Sequence, residues 1–409
     1  MKLLRLFLAL AAVIAGMLPH GTASSAANPP SPAGPGSLAP SLATAPDGSA
    51  LLSWLEPAGA DRWALKLSRL DAAARTWSAP VEIARGSDWF VNWADCPTVA
   101  PLSESHLMAV WFIENPASGA AHGHHGAGYH AVYSLSDDGG ASWTPPQAMT
   151  GESRSTEFTA VLPLGENSRA LAAWLDGRAR AGGPAGADQQ TLYAQTFLAD
   201  GPDQLVDPRV CDCCQLSLAR VPRGALLAYR GRTADEVRDI RIARWRDGRW
   251  EAPQPLHDDG WKIAACPVNG PRLAARGEQV VAAWFTAAQD RPRIQVKFSR
   301  DAGATWSDPV RIDRGRPQGR VDCLLRDDGT ALVTWLELEG AAESRAGGIY
   351  LQVAAADGPR GEPRLLAATK TTRASGFPRM AALPDGRVLL AYTVDEQLSR
   401  VATLLLDPR

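Results

Sequence analysis

The sequence predicts an all-β protein, a β-propeller of four-stranded antiparallel blades. Seven blades are favoured, with six as the alternative. Three observations carry this. Short apolar runs close on an aromatic residue at Trp54, Trp111, Trp174, Tyr229, Trp284, Trp335 and Tyr392, spaced 51 to 63 residues apart. A second run ending in a turn precedes most of them, as in PSLATAPDG, PRLAARGEQ and PRMAALPDG, and a third follows, as in HAVYSLS and IQVKFS. Four short strands joined by Gly, Asp and Pro turns at such a period are the mark of propeller blades. No long amphipathic helical pattern competes with it.

Along the chain, Lys2 and Arg5 precede an apolar run from Leu6 to Leu18, and small residues follow through Ala27. This reads as a signal peptide over residues 1–27, so export to the periplasm or outside the cell is expected. A Pro-rich segment covers 28–39, and one propeller covers 40–409. No later apolar stretch approaches the ~18 residues of a membrane span. The formal net charge of −2 argues against a nucleic-acid partner. The last repeat stops after its third strand, so the N-terminal segment or an incomplete blade must close the ring.

Two turns repeat a sharper pattern. SDDGGASW (Ser136 to Trp143) and SRDAGATW (Ser299 to Trp306) both read S-x-D-x-G-x-x-W, with degenerate forms at LDAAARTW (Leu70 to Trp77) and WRDGRW (Trp245 to Trp250). Side-chain oxygens of Ser and Asp can bond turn backbone, Gly supplies special dihedrals, and Trp packs back on the blade. The pattern resembles the Asp-box, or bacterial neuraminidase repeat, of the sialidase superfamily. That resemblance implies a propeller over essentially the whole mature chain, with the Asp-boxes distant from the functional pocket. Sialidases have six blades where seven marks occur here. The F/Y-R-I-P stretch that brings the first arginine of their carboxylate clamp is absent from this sequence.

Strand alternation places the loop entering strand one and the loop between strands two and three at the same end of every blade. Cys96, the VCDCCQ group of Cys211, Cys213 and Cys214, and Cys266 all enter first strands, while Cys323 lies inside one. His122, His124, His125 and His130 occupy the loop HGHHGAGYH between strands two and three of the second repeat. Six cysteines in an oxidising compartment suggest disulfides. The rival reading is a soft-metal site, since thiolates with imidazoles suit copper or zinc, and a reactive thiol is the third. A Cys213–Cys214 bridge would be strained, because adjacent Cα atoms are ~3.8 Å apart. At least one of Cys211, Cys213 and Cys214 is expected near Cys266.

The same end gathers groups suited to sugar chemistry. Second strands run into Asp176 and Arg178, Arg230 and Arg232, and Glu337. First-strand entrances bring Arg154, Arg320 and Arg373. A sialidase-like site implies clustered arginines on a carboxylate, a carboxylic acid such as Asp176 or Glu337, and a tyrosine nucleophile, for which Tyr129 is free. Trp89 and Trp93 are candidate sugar-stacking rings. The reading is a glycan-directed propeller, either a glycoside hydrolase or a binder of glycans or other small acidic ligands, with its site at the axial face and no cofactor required. A soft-metal propeller using the Cys and His set is the alternative, with copper or zinc, and a protein-interaction propeller the third.

Overall fold

The structure is a computed structural model and describes residues 29–71, 73, 75–115, 128–151, 155–165, 168–179, 190–199 and 201–407. Among these residues the strands form seven antiparallel sheets. The chain is a seven-bladed β-propeller. The inner strands are Leu38–Thr44, Thr98–Pro101, Thr156–Pro163, Ser217–Val221, Arg272–Arg276, Pro317–Leu325 and Arg379–Ala382, in blades I to VII. Each touches the next, and the seventh touches the first, so the ring is closed.

Blade VII has three strands, ending with Arg400–Leu406. The segment 29–37 runs along that last strand. Gly36 N–H donates to Ser399 O at 2.6 Å, and Val401 N–H to Ser37 Oγ at 2.9 Å. The Pro-rich stretch thus stands in for a fourth strand, where proline's missing N–H does little harm.

The aromatic marks occupy equivalent sites. Each sits on the second strand of its blade, opposite a residue of the third. Five tryptophans and Tyr229 are essentially fully buried, while Tyr392 is partly buried. Apolar layers lie between neighbouring blades, as where Trp54 meets Ala391 and Val401 across the closure. The core is therefore a ring of interblade layers, each secured by burying a large aromatic surface.

Both strong Asp-boxes are built alike, between the third and fourth strands. Ser136 Oγ donates to Asp138 at 2.8 Å and accepts from Gly140 N–H at 2.8 Å, and Asp138 accepts from Ser142 N–H at 2.9 Å. Ser299, Asp301, Gly303 and Thr305 repeat the arrangement. Gly140 has φ +100, and a Cβ there would meet Leu67 at 2.9 Å. The WRDGRW turn is different from the Asp-box expected of it. Asp247 and Gly248, at φ 49 and 77, form a two-residue hairpin between paired Trp245 and Trp250. Consecutive positive φ values mark a type I′ turn, which matches strand twist without Asp-box bonding.

Inner strands of blades I, III and VI share one irregularity. Each has a bulge holding a non-glycine residue in the left-handed region: Ala39, Phe158 and Arg320, at φ 53, 51 and 58. Bulges re-aim side chains and are common beside functional sites.

Candidate functional site

The loops entering the inner strands are tied together across the ring. Gln215, entering blade IV, donates to Ala94 O of the blade II loop at 2.8 Å and accepts from Gly270 N–H of the blade V loop at 3.0 Å. Asn269 accepts from Arg320 N–H of blade VI at 2.8 Å, and Arg320 Nη1 donates to Gly376 O of the blade VII loop at 3.1 Å. Trp93 and Phe377 stack at 6.0 Å between centroids and 9° between planes, bringing blades II and VII together. A Cβ on Gly270 would lie 2.0 Å from Gln215 O, so this belt needs glycine there. Gln215, Asn269 and Phe377 were not among the residues expected from sequence, because their partners lie in other blades.

Arginines concentrate at this belt and behind it. The Arg320 guanidinium lies 4.8 Å from the Trp93 ring centre and 5.9 Å from that of Phe377. Burial, reinforced by the nearby Arg373 charge, lowers Arg320 to about 10. On the axis, a cavity of about 230 Å³ is lined by Ser41, Thr98, Ser217, Cys96, Arg272 and Arg379, among others. Burial works against the Arg272 charge, but Asp322, accepting at 2.8 Å, holds it above its ordinary range. Arg379 is depressed to about 10 by burial and by Arg272. Among the described residues Arg320, Arg373 and Arg379 have no ion-pair partner within 4 Å. Arg379 repeats the Pro-Arg start of Arg272 (PRLAA, PRMAA), the signal that could have identified it.

Tyr129 faces the same region. Its hydroxyl donates to Asp95 Oδ2 at 2.8 Å, and Phe158 N–H donates to the same oxygen at 2.7 Å. Phe90 stacks on the Tyr129 ring at 3.7 Å. Burial raises the Asp95 carboxyl to about 8, with the charge of Glu157 adding to it. Burial likewise pushes the Tyr129 phenol well up, with help from Asp95, Glu157 and Cys213. The phenol is therefore held neutral against a carboxyl that titrates near neutrality.

The cysteines separate into a centre and two outliers. Cys211 Sγ lies 3.8 Å from Cys213 Sγ and 3.5 Å from Cys214 Sγ, and Cys266 is near enough to interact with Cys213 while lying outside this tight group of three. The expected approach of VCDCCQ to Cys266 is thus present. Arg238 donates to Cys211 Sγ at 3.3 Å and is held by Glu236 at 2.7 Å and Asp212 at 3.2 Å. Burial opposes ionisation of Cys211, but the neighbouring thiols and the Arg238 and Arg230 charges outweigh it and keep its thiol well below the ordinary value. Cys96 lines the axial cavity, its thiol raised to about 11 by burial. Cys323 is buried in the layer between blades V and VI.

Several sequence candidates are engaged elsewhere. Asp176 is fully buried and accepts from Trp174 Nε1 at 2.8 Å and from the Arg178 backbone and guanidinium at 2.7–2.9 Å. Glu337 accepts from Trp335 Nε1 at 2.6 Å and from the backbones of Arg314 and Arg316. Both carboxylates are saturated from within their blades, and among the described residues neither stands beside an arginine cluster on the axis. Arg178 also pairs with Asp203 and covers the Tyr193 ring. Arg230 donates to the carbonyls of Asn269, Arg238 and Phe285, and Arg232 pairs with Glu236 beside the cysteines. Trp89 is a core ring against Trp111. His130 lines the blade I–II interface with Trp89, apart from the cysteine centre. Arg154, His122, His124 and His125 lie outside the described residues.

No family model matches the chain, and no curated protein matches it. Solved structures do share the fold. A polysaccharide lyase of the ulvan-lyase family PL25 aligns with TM-score 0.54 at 11% identity, covering 90% of this chain and 94% of that one. The PL25 ulvan lyase bound to -[GlcA(1-4)Rha3S]- aligns at 0.53 and 11% identity, covering 93% of each chain. A protein of unknown function from Dyadobacter fermentans aligns at 0.51 and 14%, covering 91% and 94%. At these identities the likeness is one of fold.

Proposed function

We propose that this chain is an exported, glycan-directed propeller that takes acidic sugars at the entrance-loop end of its ring. The carrying observation is Arg320 packed over Trp93 and Phe377, beside Arg373, without a carboxylate partner within ion-pair distance among the described residues. Buried cations without acids are costly, and an anionic ligand would supply the missing charge. Arginine grips carboxylate or sulfate oxygens bidentately, and an aromatic platform suits the apolar face of a sugar ring. Propeller neighbours that act on acidic polysaccharides fit this reading. Tyr129 and Asp95 would place a proton-carrying pair next to the ligand, the kind of pair that general acid–base chemistry uses.

The test is calorimetric titration with a uronate- or sulfate-bearing polysaccharide and with a neutral one of similar length. Preference for the acidic chain, with affinity falling about tenfold or more in Arg373→Ala, is the expected result. Equal binding of both chains, or an unchanged Arg373→Ala, would remove the proposal. Export is checked separately by mass analysis of secreted protein, which should begin near Asn28.

A further inference from the structure

The geometry points to a sulfur-ligated metal site at the mouth of the ring, formed by Cys211, Cys213, Cys214 and Cys266 and suited to a thiophilic d10 ion, zinc(II) or copper(I). It is independent of the glycan site. The argument begins with distances. Sulfurs bound to one tetrahedral ion at about 2.3 Å are separated by about 3.8 Å along each edge of the tetrahedron. The Cys211 sulfur lies 3.8 and 3.5 Å from those of Cys213 and Cys214. All three sulfurs lie within 4.8 Å of one another. The sulfurs are thus already spaced as ligands of one ion.

Stoichiometry adds to this. One disulfide uses two thiols and leaves the third sulfur of the trio crowded against it, whereas one ion uses all three. Cys266, on the blade V loop, lies outside the group of three sulfurs within 4.8 Å of one another but is close enough to interact with Cys213, so a small closure of that loop would bring it in as a fourth ligand. Two segments remote in sequence therefore meet on one centre, the arrangement by which a metal adds to folding free energy.

The surroundings suit a thiolate cluster. Binding displaces thiol protons to solvent and leaves net negative charge. Arg238 donates to Cys211 Sγ at 3.3 Å while Glu236 and Asp212 fix its orientation. This is the outer-shell support that tunes metal–sulfur sites. Cys211 N–H donates to Arg230 O at 3.0 Å, and Gln215 anchors the other end of the loop to Gly270. The ligand loop is thus held at both ends. Cys211 and Cys214 are buried, and Cys213 and Cys266 are partly exposed, giving an ion a path in from solvent.

The experiment uses the full mature chain, reduced and then titrated anaerobically with Zn(II), Cu(I) or Co(II). The expected result is one ion per chain, four thiols protected from a thiol reagent, and intense sulfur-to-cobalt charge-transfer absorption with Co(II). Cys214→Ser and Cys266→Ser should each weaken binding about tenfold or more, the magnitude seen when metal-site partners are lost. Cys323→Ser should bind as the parent does. Cys266 lies in an irregular loop, so its variant decides if Cys214→Ser fails to fold. Absent sulfur charge transfer, unchanged affinity in Cys266→Ser, or a reduced protein that takes up none of the three ions would overturn the site. Competition between Zn(II) and Cu(I) then identifies the preferred ion.

Discussion

Trp335 donates its indole N–H to Glu337, two residues further along the same strand, at 2.6 Å. Trp174 does so to Asp176 at 2.8 Å, and Trp54 to Glu56 at 2.9 Å. Residues two apart share a strand face, so W-x-acid is a local pairing in these three blades, whereas Trp284 donates to the more distant Asp259. Each carboxylate then collects backbone N–H groups from a nearby loop, Gly34 for Glu56 and Arg178 for Asp176.

It follows that Asp176 is a structural acid. Asp176→Ala should destabilise the fold by about 3 kcal/mol, since it leaves the Trp174 indole and Arg178 without their buried acceptor. Chemical denaturation measures the loss. Glycan affinity of the remaining folded protein should equal that of the parent, and a selective loss of affinity would return Asp176 to the site.

The bulge at Arg320 holds a branched-chain-free but Cβ-bearing residue at φ 58. Such a conformation costs roughly 1–2 kcal/mol relative to glycine. Arg320→Gly should therefore be more stable than Arg320→Ala by about 1 kcal/mol, while both lose acidic-glycan binding. Equal stability of the two would mean that the strain is absent.

Asp95 titrates near 8 when folded, against 3.8 for a free side chain. The folded state then holds more protons than the unfolded state between those values. Stability should fall as pH rises through that window. Asp95→Asn keeps an acceptor for Tyr129 and should flatten the decline. Urea midpoints at pH about 5 and about 8 measure it.

The Asp-box acids have the opposite sign. Serine and threonine or serine donors hold Asp138 and Asp301 at about 2. Their contribution is present above about 4 and lost as pH falls towards 2. Replacing both with Asn should make acid unfolding less steep, with little change in the neutral-pH response.

Blade strands were legible because apolar runs ending in Trp or Tyr fold against their nearest neighbours in sequence. SDDGGASW was legible for the same reason: Ser136, Asp138 and Gly140 bond one another within five residues. The axial set was less so. Asp95 meets Tyr129 and Phe158, 34 and 63 residues away, and Gln215 reaches Ala94 across 121. Strand alternation puts Arg320, Arg373 and Trp93 at one end of the ring, and Arg320 does lie over Trp93 and near Arg373. Sequence could not show that Arg230 is occupied by three carbonyls or that Asp176 faces its own tryptophan.

The segment from Pro29 to Ser37 has a protective consequence. Without it, Arg400–Leu406 would present a row of open N–H and C=O groups at the rim of blade VII. Such a margin is a template on which a strand from another molecule can add. A chain lacking residues 29–37 should therefore associate with itself more than the parent does, because the bonds to Ser399 and Val401 that cover this margin are lost.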